Sequence, residues 1–107
     1  MKITYQVNVD VDKSIETEWV TWMSEKHIPE VCEAGHVADA LLIKYNDNEV
    51  EKHANFRIIY LYDNKEDLDN YLEKHAETMR NMHTEKFGTN VTISRRVGVL
   101  LKWYERA

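Results

Sequence analysis

The chain has 107 residues, 43% of them apolar, and a formal charge of −5. That length fits one domain and no more, and it leaves a core small enough that burial against a second copy would help. The acidic balance argues against nucleic acid and against an anionic membrane surface, both of which reward clustered Lys and Arg. No apolar run approaches the roughly 20 residues of a membrane span. Cys32 is the lone cysteine and no secretory pattern starts the chain, so the expected compartment is the cytosol.

Ile3, Tyr5, Val7, Val9 and Val11 alternate with polar residues from Lys2 to Asp10, which predicts a first strand with one apolar face. Asp12 or Ser14 then offers a capping oxygen, with Glu16 and Glu18 in the first turns of a helix. Ile15, Trp19, Trp22 and Met23 share one side of that helix, so both tryptophans are expected to face the core. Pro29 disfavours helical backbone at Ile28, which predicts a break near His27-Ile28 and a short restart through Glu33. Gly35 is the expected left-handed cap.

Val37 to Tyr45 reads as a second strand and Phe56 to Tyr62 as a third, both apolar on two faces. Asn46 to about His53 is short enough to join them as antiparallel neighbours. Asn64 caps a second helix whose predicted buried stripe is Leu68, Tyr71, Leu72, His75, Met79 and Met82, with Gly88 as its stop. Val91 to Trp103 is predicted as a long fourth strand, with Gly98 at a bulge or close contact. The order β-α-β-β-α-β is the α+β, ferredoxin-like arrangement of a four-stranded antiparallel sheet with two helices on one face. Two-faced strands covered on one side only predict a homodimer closed through the bare sheet face.

The chain also resembles the dimeric α/β-barrel superfamily, and within it the bacterial family of unknown function DUF4286. The resemblance is carried by Tyr5-Gln6-Val7-Asn8-Val9, Glu18-Trp19-Val20-Thr21-Trp22-Met23, His27-Ile28-Pro29-Glu30-Val31 and Lys86-Phe87-Gly88. It implies a dimeric barrel and no particular reaction. Relatives in the superfamily include cofactor-free monooxygenases and isomerase-like enzymes. Haem-degrading members are similar in placing an asparagine and a histidine where Asn8 and His75 fall, but the tryptophan they use near the second helix is replaced here by Asn64-Lys65-Glu66. No cofactor is therefore expected.

His27 and His75 are the candidate proton acceptors, since imidazole titrates near neutrality. The plain account makes His27 a structural group at a helix break and His75 a core histidine bonded to Asn8 or a tyrosine hydroxyl. Tyr5, Asn8, Trp19, Trp22, Met23, Tyr60 and Met79 are the candidate ligand-binding residues, forming an aromatic wall for a small, aromatic or acidic molecule. The same tryptophans at helical spacing also serve as ordinary core. His27, Cys32 and His36, or His75, Met79 and His83, match no recognised zinc spacing, so no metal is expected. Arg57, Arg95 and Arg96 fall in strands, where Asp10 or Asp39, within the chain or across a dimer, would be their plain partners and an acidic small ligand the sharper alternative. The expected function is small-molecule binding between helices and sheet. A cofactor-independent enzyme and a filled-core interaction dimer are the alternatives, and a cavity with His27 or His75 on its wall would separate them.

Overall fold

A computed structural model describes residues 1–45 and 52–106. Strands β1 (Ile3–Asp12), β2 (Asp39–Lys44), β3 (His53–Tyr62) and β4 (Val91–Val99) form one sheet in the order β2-β3-β1-β4, with every neighbouring pair antiparallel. Helices α1 (Glu16–Trp22) and α2 (Ile28–Gly35) join β1 to β2, and α3 (Lys65–Lys74) and α4 (Ala76–Phe87) join β3 to β4. This is the predicted α+β, ferredoxin-like order. The turn expected at Asn46–Glu49 lies outside the described residues.

The helices cover one sheet face. Alternation along β1 and β3 puts Ile3, Tyr5, Val9, Val11, Phe56, Ile58, Tyr60 and Tyr62 in the core, packed on Trp19, Val31, Leu68 and Tyr71. The opposite face carries no helix. There Leu41 pairs with Ile59 in register, next to Asp39 with Leu61 and Ile43 with Arg57. Leu41 is 56% exposed, and Ile43, Ile59 and Leu61 are only partly covered.

Several local expectations are corrected. Pro29 does not break the helix. Residues Met23–His27 widen into a π-helical turn that runs directly into α2, and the Ile28 N–H bonds to the Met23 carbonyl five residues back. Proline cannot donate and its ring crowds the carbonyl four residues earlier, so a widened turn re-routes the bonding and keeps the axis continuous. Gly35 is not the left-handed cap either. His36 holds that conformation (φ 54°, ψ 42°), while Gly35 is buried where a Cβ would stand 2.8 Å from the Tyr62 hydroxyl. Gly98 does answer to close contact, since a Cβ there would meet Thr4 Oγ1 at 2.7 Å.

The second helix is two helices. At His75 the backbone leaves the helical region (φ −127°, ψ −28°), although the His75 N–H still bonds to Tyr71 and its carbonyl accepts from Met79. This interruption shifts the phase of α4 relative to α3. The buried stripe becomes Leu68, Tyr71, Ala76, His83 and Phe87, with Leu72 and Met79 partly buried, and His75 stands half-covered at the joint instead of in the stripe. β4 ends at Val99, four residues short of Trp103, and Leu101, Trp103 and Tyr104 lie beyond it, exposed. Asn64 caps α3 as read, its Oδ1 accepting from Asp67 N at 2.8 Å. Asp12, accepting from Ser14 N at 2.8 Å, instead caps a 3-10 turn over Lys13–Ile15, and α1 begins behind Ile15 with no side-chain cap.

Candidate functional site

A cavity of about 70 Å³ lies between the helices and the sheet. Its floor is Tyr5, Val7 and Val9 of β1 with Ile58 and Tyr60 of β3, all on the helix-facing side because β1 and β3 pair in register there. Met23 and His27 reach it from the two ends of the π turn, and Val31 from α2. Tyr71 of α3 and Met79, Arg80, His83 and Thr84 of α4 close the other side. Ile93 and Arg95 complete it from the edge strand β4. Arg80, Thr84 and Arg95 are exposed, so the mouth opens between α4 and β4.

His27 and His83 are the polar centre of the wall. They are 7% and 5% exposed, and their ring centroids lie 6.0 Å apart. Trp19, fully buried, donates its indole N–H to His83 Nε2 at 2.9 Å. An accepting Nε2 puts the proton of the neutral ring on Nδ1. That Nδ1, and Nδ1 of His27, are both buried with no hydrogen-bond partner among the described residues. Trp22 stacks on His27 at 4.6 Å and 17°, and packs edge-on against Phe87. Burial pushes His83 down to about 4, helped by the neighbouring His27 and Arg95 charges, and burial also lowers His27 against the opposing pull of Glu30. Both rings are therefore neutral at pH 7.

Tyrosines extend the polar wall. Tyr5 accepts a hydrogen bond at 3.0 Å from Arg80, and Tyr5 and Tyr60 stack at 6.2 Å. Burial, with the neighbouring Tyr5, pushes Tyr71 up to about 12, and burial raises Tyr60 and Tyr62 further still. Their phenols remain protonated donors across the physiological range. Burial raises the Cys32 thiol, which leaves it a poor nucleophile.

Of the residues singled out in the sequence, Tyr5, Met23, His27, Tyr60 and Met79 meet at this cavity, while Trp19 and Trp22 stand behind its two histidines. Asn8 and His75 do not join them. Asn8 lies on the uncovered sheet face, where it accepts from Arg57 Nε at 2.7 Å, and His75 stacks on Tyr71 at 6.3 Å. The haem-like pairing of those two is therefore not assembled, and Asn8 is no partner for His75. Arg57 pairs with Asn8 rather than with Asp10 or Asp39, and it lies over the Tyr45 ring at 5.6 Å. Among the described residues no three His, Cys, Asp or Glu side chains gather as a metal site.

Sequence reasoning passed over Arg80, weighed His83 only as a metal ligand, and named Arg95 only as a strand arginine in need of an acidic partner or ligand. Arg95 had a signal: it interrupts the apolar row Ile93, Val97, Val99 on one side of β4. The burial of His83 had none, because it depends on the interruption at His75.

A βαββαβ domain with a helix-covered core and an open sheet face defines the ferredoxin-like class, and solved structures agree. A dimeric ferredoxin-like protein from an uncultured marine organism superposes with a TM-score of 0.69 at 11% identity, covering 96% of this chain and 98% of its own. A second such protein, also from an uncultured marine organism, gives 0.67 at 19% identity with 97% and 99% covered. A point mutant of SnoaB from Streptomyces nogalater, a cofactor-independent oxygenase, gives 0.66 at 8% identity with 98% of each chain covered. At these identities the likeness concerns the fold alone. The chain belongs to the family described as Domain of unknown function (DUF4286), whose model matches residues 2–100. No curated protein matches it in sequence. Among the described residues no helix is long and apolar enough to cross a membrane.

Proposed function

We propose that this chain is a cytosolic, homodimeric small-molecule-binding protein that holds its ligand in the cavity between helices and sheet. One observation carries the reading: two buried histidines on the cavity wall each have an unpartnered Nδ1. A buried polar atom without a partner costs about 1–3 kcal/mol, which a core filled for stability alone would not retain twice at one hollow. A bound molecule whose polar atoms reach either nitrogen recovers that cost. The dimer is supported by the apolar strip Leu41, Ile43, Ile59 and Leu61 on the uncovered face, and by the dimeric ferredoxin-like proteins of the same fold.

Titration with a set of neutral aliphatic fragments of up to about five heavy atoms, sized to a cavity about half of one that holds benzene, tests occupancy when read by histidine ring NMR. The expected result is that His27 and His83 resonances move while those of the exposed His36 and His53 stay. If no fragment moves His27 or His83, the binding reading fails.

A second reading, a cofactor-independent monooxygenase- or isomerase-like enzyme, has one observation in its favour. Both cavity imidazoles are neutral, and His27 keeps a ring-nitrogen lone pair that no hydrogen bond occupies among the described residues. His27 is the stronger acceptor in that scheme, because His83 already accepts from Trp19 and is the more weakly basic of the two. Proton exchange at an acidic C–H of a bound ligand, abolished in His27→Gln and retained in His75→Gln, would distinguish catalysis from binding alone.

A further inference from the structure

The chain carries a net charge of −5, yet the cavity wall contains two arginines, two histidines and no carboxylate. Arg80 uses one N–H on the Tyr5 hydroxyl, a neutral acceptor, and among the described residues no acidic group lies within ion-pair distance of Arg80 or Arg95. Lys2, Lys26, Lys44, Lys65 and Lys86 each hold an acidic partner, whereas Lys74 and Arg96 hold none among the described residues; Arg80 and Arg95 are set apart by their place on the cavity wall. Two guanidinium groups without an ionic partner thus stand at the cavity mouth of an otherwise acidic molecule, where a low-dielectric wall strengthens their field. Arg95 is held there by register: it faces Val7 across β1 and β4, in a row whose other members are apolar.

The interior behind these charges is different in kind. Val7, Ile93 and Met79 make it apolar, and about 70 Å³ is roughly half of the 150 Å³ that accommodates benzene in an apolar protein cavity. A ligand matched to both parts has an anionic head and a short apolar body. A guanidinium binds a carboxylate through two parallel hydrogen bonds, which an ammonium cannot do.

We infer that the cavity takes the anion of a small carboxylic acid, with its carboxylate at the mouth between Arg80 and Arg95 and its short carbon body against Val7, Ile93 and Met79. The inference rests on the binding reading above and names the ligand class for that same site.

Propanoate, propanamide and inorganic phosphate, titrated separately into the full chain at fixed ionic strength and read at His27 and His83, test it. Propanoate and propanamide have the same heavy-atom count and differ in charge, while phosphate has charge and no carbon body. The expected result is that propanoate binds about tenfold or more tightly than either competitor. Arg95→Gln is expected to remove most of that preference and Arg95→Lys to restore part of it. Equal binding of propanamide overturns the anion preference and leaves the cavity reading standing. Equal binding of phosphate overturns the role of the apolar body. If propanoate fails while the neutral fragments of the earlier test bind, only this inference falls; if all fail, both readings fall together. The comparison on the unaltered protein decides the question even if the Arg95 variants fold poorly.

Discussion

Acidification offers a direct measure of how firmly His83 is held neutral. Its ring is 5% exposed, accepts the Trp19 indole N–H at 2.9 Å, and has its pKa pushed down from the ordinary 6.5 to about 4 by burial first and by the His27 and Arg95 charges next. In the unfolded chain the ring takes a proton below about pH 6.5, whereas the folded protein refuses it until about pH 4. The stabilisation is therefore present above pH 6.5 and is lost as pH falls from 6.5 through about 4. At about 1.4 kcal/mol per pH unit, and discounted for the open mouth of the cavity, His83 accounts for about 2 kcal/mol of lost stability by about pH 4.5. His27 adds in the same direction. Carboxylates also begin to titrate there, so the control is His83→Gln, which keeps an oxygen to accept the Trp19 N–H but cannot titrate. Urea unfolding of both proteins at about pH 7.5 and 4.5 is the assay. Wild type is expected to lose about 2 kcal/mol more than the variant between the two conditions, a difference of roughly 10 °C in melting temperature. Equal losses in the two proteins would refute the assignment of His83 as a buried neutral ring.

Other consequences arise from single contacts. Gly35→Ala sets a methyl group 2.8 Å from the Tyr62 hydroxyl and 3.3 Å from Tyr71 Cδ1, so thermal unfolding should report a loss of about 1–3 kcal/mol. Tyr62→Phe removes a buried hydroxyl that has no partner among the described residues, and it should leave stability unchanged or raise it by up to about 1 kcal/mol, the opposite sign from a typical buried Tyr→Phe change. Relief of the left-handed strain at His36 by His36→Gly should raise the melting temperature slightly, by about 1 kcal/mol or less in stability. Sedimentation at micromolar concentration should show a dimer, and Leu41→Asp, placed on the bare sheet face, should shift it toward monomer; a monomeric wild-type protein would end the argument from the two-faced strands.

The order of elements was legible because it rests on local rules. Period-two alternation in Ile3–Val11, helical spacing through Trp19–Met23, the Asn64 cap and the arrangement of strands around two helical stretches are all written in neighbouring residues. So was the position of His27, since Pro29 marks a backbone irregularity beside it. The form of that irregularity was not legible. A break and a π turn satisfy the same missing N–H, and packing of both Met23 and His27 into the core selects the turn.

The site needed the tertiary structure. A continuous helical period from Leu68 carries His75 into the buried stripe, and the interruption at His75 hands that place to His83 instead. Arg95 reaches the cavity only because β4 pairs with β1 in the register that sets it opposite Val7, a contact spanning nearly the whole chain. By itself the sequence determined a four-stranded, helix-covered α+β domain with apolar residues left over on its second face, because periodicity and capping act over a few residues. Which histidines meet, which nitrogens lack partners and which arginines stand at the mouth are matters of phase and register between distant segments, and only the folded arrangement decides them.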